Sequence, residues 1–544
     1  MSPSKSTSIA GASGTAATPG ARAARVGIYG WGVVAPGARD IAAFKNLLRS
    51  GRTALAPSTR PELGPGLFAV GEPDFAFADY ADWIAKRHGA PYVTRMLAKM
   101  SDNVQFAIGA TIQALGAPGL EAAVAELDEQ CHIYVGSGVG DLPESYKAAE
   151  TMGRATREWN HFWANPARCA ERRRFHSEGI APDGAAPPVD PATLPVDSEE
   201  RHAALSAWDA FWAGRSAELH SFTARFAAIE KLDSDGNDDD AHLHAIRKRI
   251  REHRRLIDDV GCPPPPWTAV SPNLLWNIQN SPAAQITMLL GVHGEAWAPV
   301  GACSTFGVAL RCGRDAILHG NAKLAIVGTT DPRPDPALAA AFHQARVMPG
   351  TGEVNRPFTS LRGTHISGGA CVWVLGDAAW CEARGLAPVG GYVDGVALAS
   401  DAEHIITPSK TGPKRAIVRA YAEAGITRDD VALIDLHATG TPGDLNELAL
   451  VEEFIHPGTV VAARKGQLGH GMANSGGWEL TALALDLGQR AASPSGVSAA
   501  ELHPRIPHKE AIAGEAPVPL PDGVGVKMML GVGGITACVV LRRE

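Results

Sequence analysis

Three side chains stand where a folded chain places groups that do chemistry. Cys303 lies in Gly301-Ala302-Cys303-Ser304-Thr305, between an apolar run over residues 291–300 and a stretch where Val308, Ala309, Cys312, Ala316 and Ile317 recur at helical spacing. The run predicts a short buried strand and the stretch a helix, so the thiol falls at the first helical turn. The partial positive charge of a helix N-terminus favours a thiolate, which attacks carbonyl carbon far better than the thiol does. A buried structural thiol is the alternative reading of this local pattern. His437 ends the apolar run Val431-Ala432-Leu433-Ile434-Asp435-Leu436 and opens the turn Ala438-Thr439-Gly440-Thr441-Pro442. His470 follows Lys465-Gly466-Gln467-Leu468-Gly469 and precedes a helical stretch over residues 475–490. Each histidine thus ends a regular element on a glycine-containing turn, where a side chain projects into a cleft. Either alone also reads as a solvated loop histidine; together with the thiol they read as a nucleophile with two hydrogen-bonding partners.

The elements that must carry these groups alternate between the two periodicities. Residues 26–34, 132–135, 322–328 and 370–376 predict strands of one half, and 389–397, 431–436, 460–463, 524–530 and 536–541 those of another, with helical stretches between. This alternation implies an α/β fold. No sequence repeat between the halves is evident. With 544 residues, 45% of them hydrophobic, and a formal charge of -8, the chain can bury a large core and has no bulk preference for nucleic acid or anionic membrane. Eight scattered cysteines without a C-x-x-C pair fit a reducing cytoplasm and argue against structural zinc. No apolar run reaches the ~20 residues that span a bilayer. Residues 1–23, rich in Ser, Ala, Gly and Thr, lack an apolar core and read as a disordered tail rather than a signal peptide.

Seven segments, in order, resemble the motifs of a β-ketoacyl synthase (ketosynthase) of the thiolase superfamily. Residues 24–36 resemble its first strand and Gly-rich turn, and Val135-Gly136-Ser137-Gly138-Val139-Gly140 a second Gly-rich strand end. Residues 301–305 resemble the nucleophile motif T-A-C-S-S, and Asn355-Arg356-Pro357-Phe358 with Arg362 resembles S-R-P-F-D-x-x-R. Residues 437–442 resemble H-G-T-G-T-P, residues 465–470 K-S-x-x-G-H, and Gly531-Val532-Gly533-Gly534 the terminal G-F-G-G loop. The resemblance implies a thiolase-like fold, two similar halves in five αβαβα layers, with residues 24–386 as the N-terminal half carrying the nucleophile and 387–544 as the C-terminal half carrying both histidines. It also implies a cytoplasmic acyltransferase that performs a decarboxylative Claisen condensation of an acyl thioester with a malonyl-type extender, in fatty acid or polyketide biosynthesis.

In that reading Cys303 takes the acyl group, while neutral His437 and His470 donate hydrogen bonds to the thioester enolate. The backbone N–H groups of Cys303 and of the Val532-Gly533 loop bind the oxyanion. Lys465 holds the charge balance with Glu479 as its partner, because an unpaired buried Lys would be driven neutral. Thr439 and Thr441 match hydroxyls that hold the pantetheine arm. No metal and no cofactor is implied beyond the phosphopantetheine that carries the substrates. The expected partners are an acyl carrier protein and a second subunit, either another copy or a related ketosynthase. Two alternatives stand beside this: an acyl-Cys enzyme or chain-initiating condensing enzyme with a different donor or acceptor, and a non-catalytic partner subunit resembling a chain length factor. The retained Cys303, His437, Lys465 and His470 argue against the last.

Departures from the family pattern concentrate around the acyl group. Val532 replaces the gating Phe, Phe306 stands where a small residue is common and becomes a candidate acyl-pocket wall, Gly466 replaces Ser, and Ile406 replaces a pantetheine-binding Thr. The R-D-G-F segment and its Glu are lost, leaving Gly363-Thr364-His365-Ile366-Ser367-Gly368-Gly369. The largest departure is added material at about residues 142–266, expected to be a largely helical insertion. It holds Trp159, Phe162 and Trp163, a Pro-rich linker at 181–195, and an amphipathic stretch at 198–232. In that stretch Leu205, Trp208, Phe211, Trp212, Leu219, Phe222, Phe226 and Ile229 recur at helical spacing. Such a stripe is expected to pack on the main body or a partner chain, with a lid or pocket wall as the alternative. The acidic run at 233–240 resembles a calcium loop, but it lacks Gly at the sixth position and has His244 where a bidentate Glu belongs, so it reads as a solvated loop. Arg247, Lys248, Arg249, Arg251, Arg254 and Arg255 then make a basic helix, either a solvated face or a dock for an acidic carrier protein.

Overall fold

The computed structural model describes residues 24–180, 185–232, 239–405, 409 and 411–544, the side chains of 239 and 240 excepted. The tail at 1–23, residues 181–184 of the Pro-rich linker, the acidic run at 233–238 and Ile406 lie outside those residues.

Ten strands form the main sheet: β1 (Val26–Val34), β2 (Cys131–Gly136), β3 (Ala296–Trp297), β4 (Leu324–Asp331), β5 (Gly369–Asp377), β6 (Tyr392–Ser400), β7 (Val431–Asp435), β8 (Val460–Ala462), β9 (Val524–Gly531) and β10 (Ile535–Arg542). Their order falls into two halves, β1-β5-β4-β2-β3 and β6-β10-β9-β7-β8. In each half the first two pairings are antiparallel and the last two parallel. The halves meet at one register pair, Gly27 with Tyr392. The same topology thus occurs twice, although no repeat is legible in the residues.

Helices cover both faces, as parallel strands buried on two sides require. Helix α1 (Asp102–Ala114) packs on the outer face of the first half and α3 (Thr411–Ala424) on that of the second. Between the halves lie α2 (Thr305–Leu318) and α5 (Asn474–Gln489), which contribute Phe306, Leu310, Trp478 and Leu483 to the central core. These are the five αβαβα layers. The glycines of β1 set how closely α1 approaches: a Cβ on Gly32 would lie 1.8 Å from the Ala110 carbonyl oxygen.

The expected strands hold within a few residues, with one correction. Residues 291–300 contain only the two-residue β3, and both its residues are exposed. It pairs with β2 on one side and forms the outer edge of the sheet, so its other side has nothing to bury against.

A second compact unit comprises Thr94–Ser101 and Asp141–Ile278, somewhat wider than the expected insertion. It is helical as expected, with helices Leu142–Ala164, Ala170–Glu178, Glu199–Ala213, Ala217–Glu230 and Asp239–Val260. The stretch at 198–232 is two helices rather than one, because the chain breaks at Gly214 and restarts with the Ser216 hydroxyl capping the Leu219 amide. Its aromatic stripe closes the unit's own core, since the Leu142–Ala164 helix supplies Trp159 and Trp163 against Trp208, Trp212 and Phe222. The expectation that this stripe packs on the main body or a partner chain is corrected accordingly.

Candidate active site

Cys303 sits in a single 3-10 turn (Ala302–Ser304) that runs directly into α2. The preceding Ala302 has φ +49°, a left-handed conformation costly for a residue with a side chain, and the turn is clamped on both sides. Thr305 Oγ1 accepts from the Gly301 amide at 3.0 Å and donates to the Ala302 carbonyl at 2.7 Å. Ser304 Oγ donates to the Ile535 carbonyl at 2.8 Å, tying the turn to the start of β10. The β9–β10 hairpin passes so close that a Cβ on Gly531 would lie 2.6 Å from the Gly301 carbonyl oxygen. This approach brings the Val532 amide onto the Cys303 sulfur, while the Val532 side chain stays largely exposed. Gly533 (φ +92°) and Gly534 (φ +70°) make the turn.

The charge state of Cys303 differs from expectation. Burial pushes the thiol up to about 11; the Val532 amide, then the Lys465 ammonium, pull it down, and the Asp331 carboxylate pushes it up. Removal from water outweighs the helix start, so the resting group is a thiol rather than a thiolate.

His437 and His470 stand together, both buried, with ring centroids 5.4 Å apart and planes at 82°. His470 Nδ1 accepts from the Met472 amide at 3.1 Å, which places its proton on Nε2. Its backbone is held between the His365 carbonyl and the Ser367 amide. His437 Nδ1 has no hydrogen-bond partner among the described residues. Burial, then the Lys465 ammonium, hold both rings neutral, His437 well below the usual histidine range and His470 at about 3.

The backbone that carries His437 is fixed by charged side chains. Glu447 of helix α4 (Gly443–Val451) accepts from the His437 and Ala438 amides at 2.7 and 2.8 Å. Asp444 accepts from the Phe358, Thr439 and Gly440 amides at 3.0, 2.9 and 3.1 Å, shaping the turn in which Thr439 and Thr441 bring their hydroxyls within 3.0 Å of each other. Lys465 Nζ donates to the His437 carbonyl at 2.6 Å and pairs with Glu479 at 2.7 Å, as the sequence predicts. Gly440 (φ +71°) lets Asn355 donate to its carbonyl, joining the Asn-Arg-Pro-Phe segment to this turn.

Sequence reasoning missed several residues of the site. Asp331, at the end of β4, accepts from Ser137 Oγ at 2.6 Å and from the Gly138, Val139 and Ala473 amides at 2.9, 3.1 and 2.8 Å. It thereby joins the Gly-rich strand end to the segment after His470. Its signal was a carboxylate closing the apolar run Leu324–Asp331. His365, in the segment that departs from the family, accepts from the Asn355 amide at 2.7 Å while Nδ1 faces the Ala69 carbonyl at 3.1 Å; burial lowers it to about 4. Phe306, expected as a pocket wall, is fully buried edge-on against Trp373.

Family models match on both sides of the sheet's midline. Residues 264–379 match the N-terminal domain of beta-ketoacyl synthases and residues 391–496 the C-terminal domain, so Cys303, His437, Lys465, His470 and Glu479 all fall within the matches. Both domains of the beta-ketoacyl synthase family are thus matched, in order. Among curated relatives, Nodulation protein E of Rhizobium meliloti (strain 1021) is 30% identical over 204 residues, 37% of this chain and 49% of that protein. The 3-oxoacyl-[acyl-carrier-protein] synthase 2 of Staphylococcus aureus (strain COL) is 27% identical over 279 residues, 49% of this chain and 66% of that protein. The chain thus spans about half to two thirds of these relatives. A beta-ketoacyl synthase from Burkholderia phymatum STM815 has the same fold at TM-score 0.65 and 16% identity, covering 96% of this chain and all of that one. The ishigamide ketosynthase/chain length factor does so at TM-score 0.64 and 19% identity, with the same coverage.

Proposed function

We propose that this β-ketoacyl synthase joins an acyl thioester to a malonyl-type extender on an acyl carrier protein, in fatty acid or polyketide synthesis. The observation that carries the proposal is that one buried ammonium, Lys465, acts on a buried thiol under the Val532 amide and on two neutral imidazoles, one with its proton fixed on Nε2.

The Cys303 sulfur attacks the acyl carbonyl, and the carrier's pantetheine thiol leaves with the proton that Cys303 gives up. The malonyl thioester then loses CO2, and its enolate oxygen accepts from His437 and His470, where a low dielectric strengthens both bonds. The enolate carbon attacks the acyl-Cys carbonyl. The oxyanion accepts from the Cys303 and Val532 amides and collapses to the β-ketoacyl carrier, expelling the Cys303 thiolate, which takes up one proton from solvent. Thr439 and Thr441 hold the pantetheine arm, Phe306 closes the acyl pocket, and no cofactor of the protein's own takes part. Incubation with acyl-carrier and malonyl-carrier thioesters is expected to release CO2 and yield the extended product. Full condensation by Cys303→Ala would overturn the proposal.

A second reading, an acyl-Cys enzyme with another acceptor, is favoured by Val532 in place of a bulky gate; acylation of Cys303 without CO2 release would select it. The non-catalytic subunit is disfavoured by the retained thiol. For partners, the solved neighbours include a ketosynthase with its chain length factor from Xenorhabdus doucetiae and a type II acyl carrier protein in complex with its ketosynthase. By analogy the exposed edge at β3 is the surface for a second subunit, and the exposed Arg247, Lys248, Arg251 and Arg254 a surface for an acidic carrier. All eight cysteines are free, in keeping with a reducing cytoplasm. No helix among the described residues is long and apolar enough to cross a membrane.

A further inference from the structure

Behind His437 runs a chain of buried charges of which the sequence disclosed one pair. Asp486, Arg464, Asp435, Lys527, Glu479 and Lys465 alternate in sign through five ion pairs, and each side chain is at most 2% exposed. Two of these pairs belong to Lys527: its Nζ lies 2.8 Å from Asp435 and 2.7 Å from Glu479, and it also donates to the Leu436 carbonyl at 2.9 Å. Lys527 occupies the middle of β9, in a run that is otherwise Val, Gly, Met and Leu. Burying such ions costs several kcal/mol each before pairing, and apolar residues of similar volume often do as well for stability. Stability alone therefore gives little reason for a lysine here.

The backbone it touches supplies one. Strand β7 ends at Asp435, and the next residues leave the ladder to present the His437 ring. There the Leu436 carbonyl accepts from Lys527 and the His437 carbonyl from Lys465, while Glu447 accepts from the His437 and Ala438 amides. Two ammonium groups grip consecutive carbonyls and share Glu479, one on each carboxylate oxygen. We infer that Lys527 is a positioning residue for His437, the second of two buried cations that fix its backbone and keep its ring a neutral hydrogen-bond donor. This rests on the condensing reaction proposed above.

The charges that face His437 are Lys465 before α5, Lys527 on β9, Glu447 on α4, Glu479 on α5 and Asp435 on β7, with His470, Cys303 and Asp331 as the other titratable groups of the site. Removing the Lys527 cation leaves these groups one positive charge poorer, so imidazolium becomes easier to form. Lys527→Met is expected to lower kcat by ~10-fold or more with KM for the carrier substrates within about twofold, since a small displacement of a reacting group costs rate rather than binding. The acid limb of its kcat profile is expected to move up by about one pH unit. The double variant Lys527→Met/Asp435→Asn restores charge balance, and with it a folded protein should the single variant unfold. Its kcat is expected to stay low, because the Leu436 carbonyl still lacks its ammonium. An unshifted acid limb in Lys527→Met, or full recovery of kcat in the double variant, overturns the inference. If the wild type itself does not condense, the functional reading fails separately. Lys527 is then tested by carbethoxylation of His437, which requires the neutral ring and is followed by mass: its midpoint is expected to rise in Lys527→Met, and an unchanged midpoint overturns the inference.

Discussion

Cys303 rests as a thiol because full burial outweighs the amides and the Lys465 ammonium around it. Alkylation by iodoacetamide, which consumes thiolate, is therefore expected to keep rising through pH 9 at Cys303; a plateau near pH 7 in site-resolved mass spectra would contradict this. Asp331→Asn removes a nearby negative charge, so the rate at pH 8 is expected to increase a few fold. Glu447 runs the other way from most buried acids' partners: burial raises it to about 7 despite the His437 amide. Its folded value exceeds its unfolded one, so its stabilising contribution is complete at low pH and is lost as pH rises through about 7. The melting temperature of Glu447→Gln relative to wild type is thus expected to climb between pH 5 and pH 8, and a flat difference would refute it. Cys303, His437, Lys465 and His470 were legible because each sits on a small-residue turn whose spacing is local. Asp331 and Lys527 were not, because their partners come from elements far away in the chain, and Glu447 was not, because a carboxylate on a helix reads as a solvated one. A carboxylate closing β4 and a lone Lys in the apolar β9 were the visible traces.

At the scale of elements, α5 approaches α2 through residues without side chains. A Cβ on Gly477 would lie 2.6 Å from the Phe306 ring, which also packs on Trp373. Gly477→Ala is expected to destabilise by ~1–3 kcal/mol through overpacking. Phe306→Leu frees that space, so in denaturant titrations the double variant is expected to lose less than the sum of the singles; additivity would show that the two do not meet. The sequence placed α5 and nine strands within a few residues because their apolar periods are long and regular. It misread β3, where an apolar run lies on a sheet edge, and it fused two helices across Gly214, because helical spacing continues in phase on both sides of the break.

The whole main unit repeats one five-strand topology, with Cys303 leading from the first half and both histidines from the second. That repeat escaped detection because topology depends on the order of buried strands, which many apolar residues satisfy equally. The exposed β3 ends the first half, and Trp297, 42% exposed, stands on it. If this edge carries the second subunit as proposed, Trp297→Glu is expected to lower the sedimenting mass relative to wild type, whereas an unchanged mass would place the subunit contact elsewhere. In the proposed reaction labour divides across the halves: the thiol loads and the imidazoles decarboxylate. The direct measurement offers an acyl-carrier thioester and then a malonyl-carrier thioester to wild type and to His437→Ala/His470→Ala, reading acyl mass on Cys303 and CO2 release. Both proteins are expected to acquire the acyl group, and the variant to release CO2 on the order of 100-fold more slowly. Undiminished CO2 release by the variant, or a wild-type Cys303 that takes no acyl group, would contradict it.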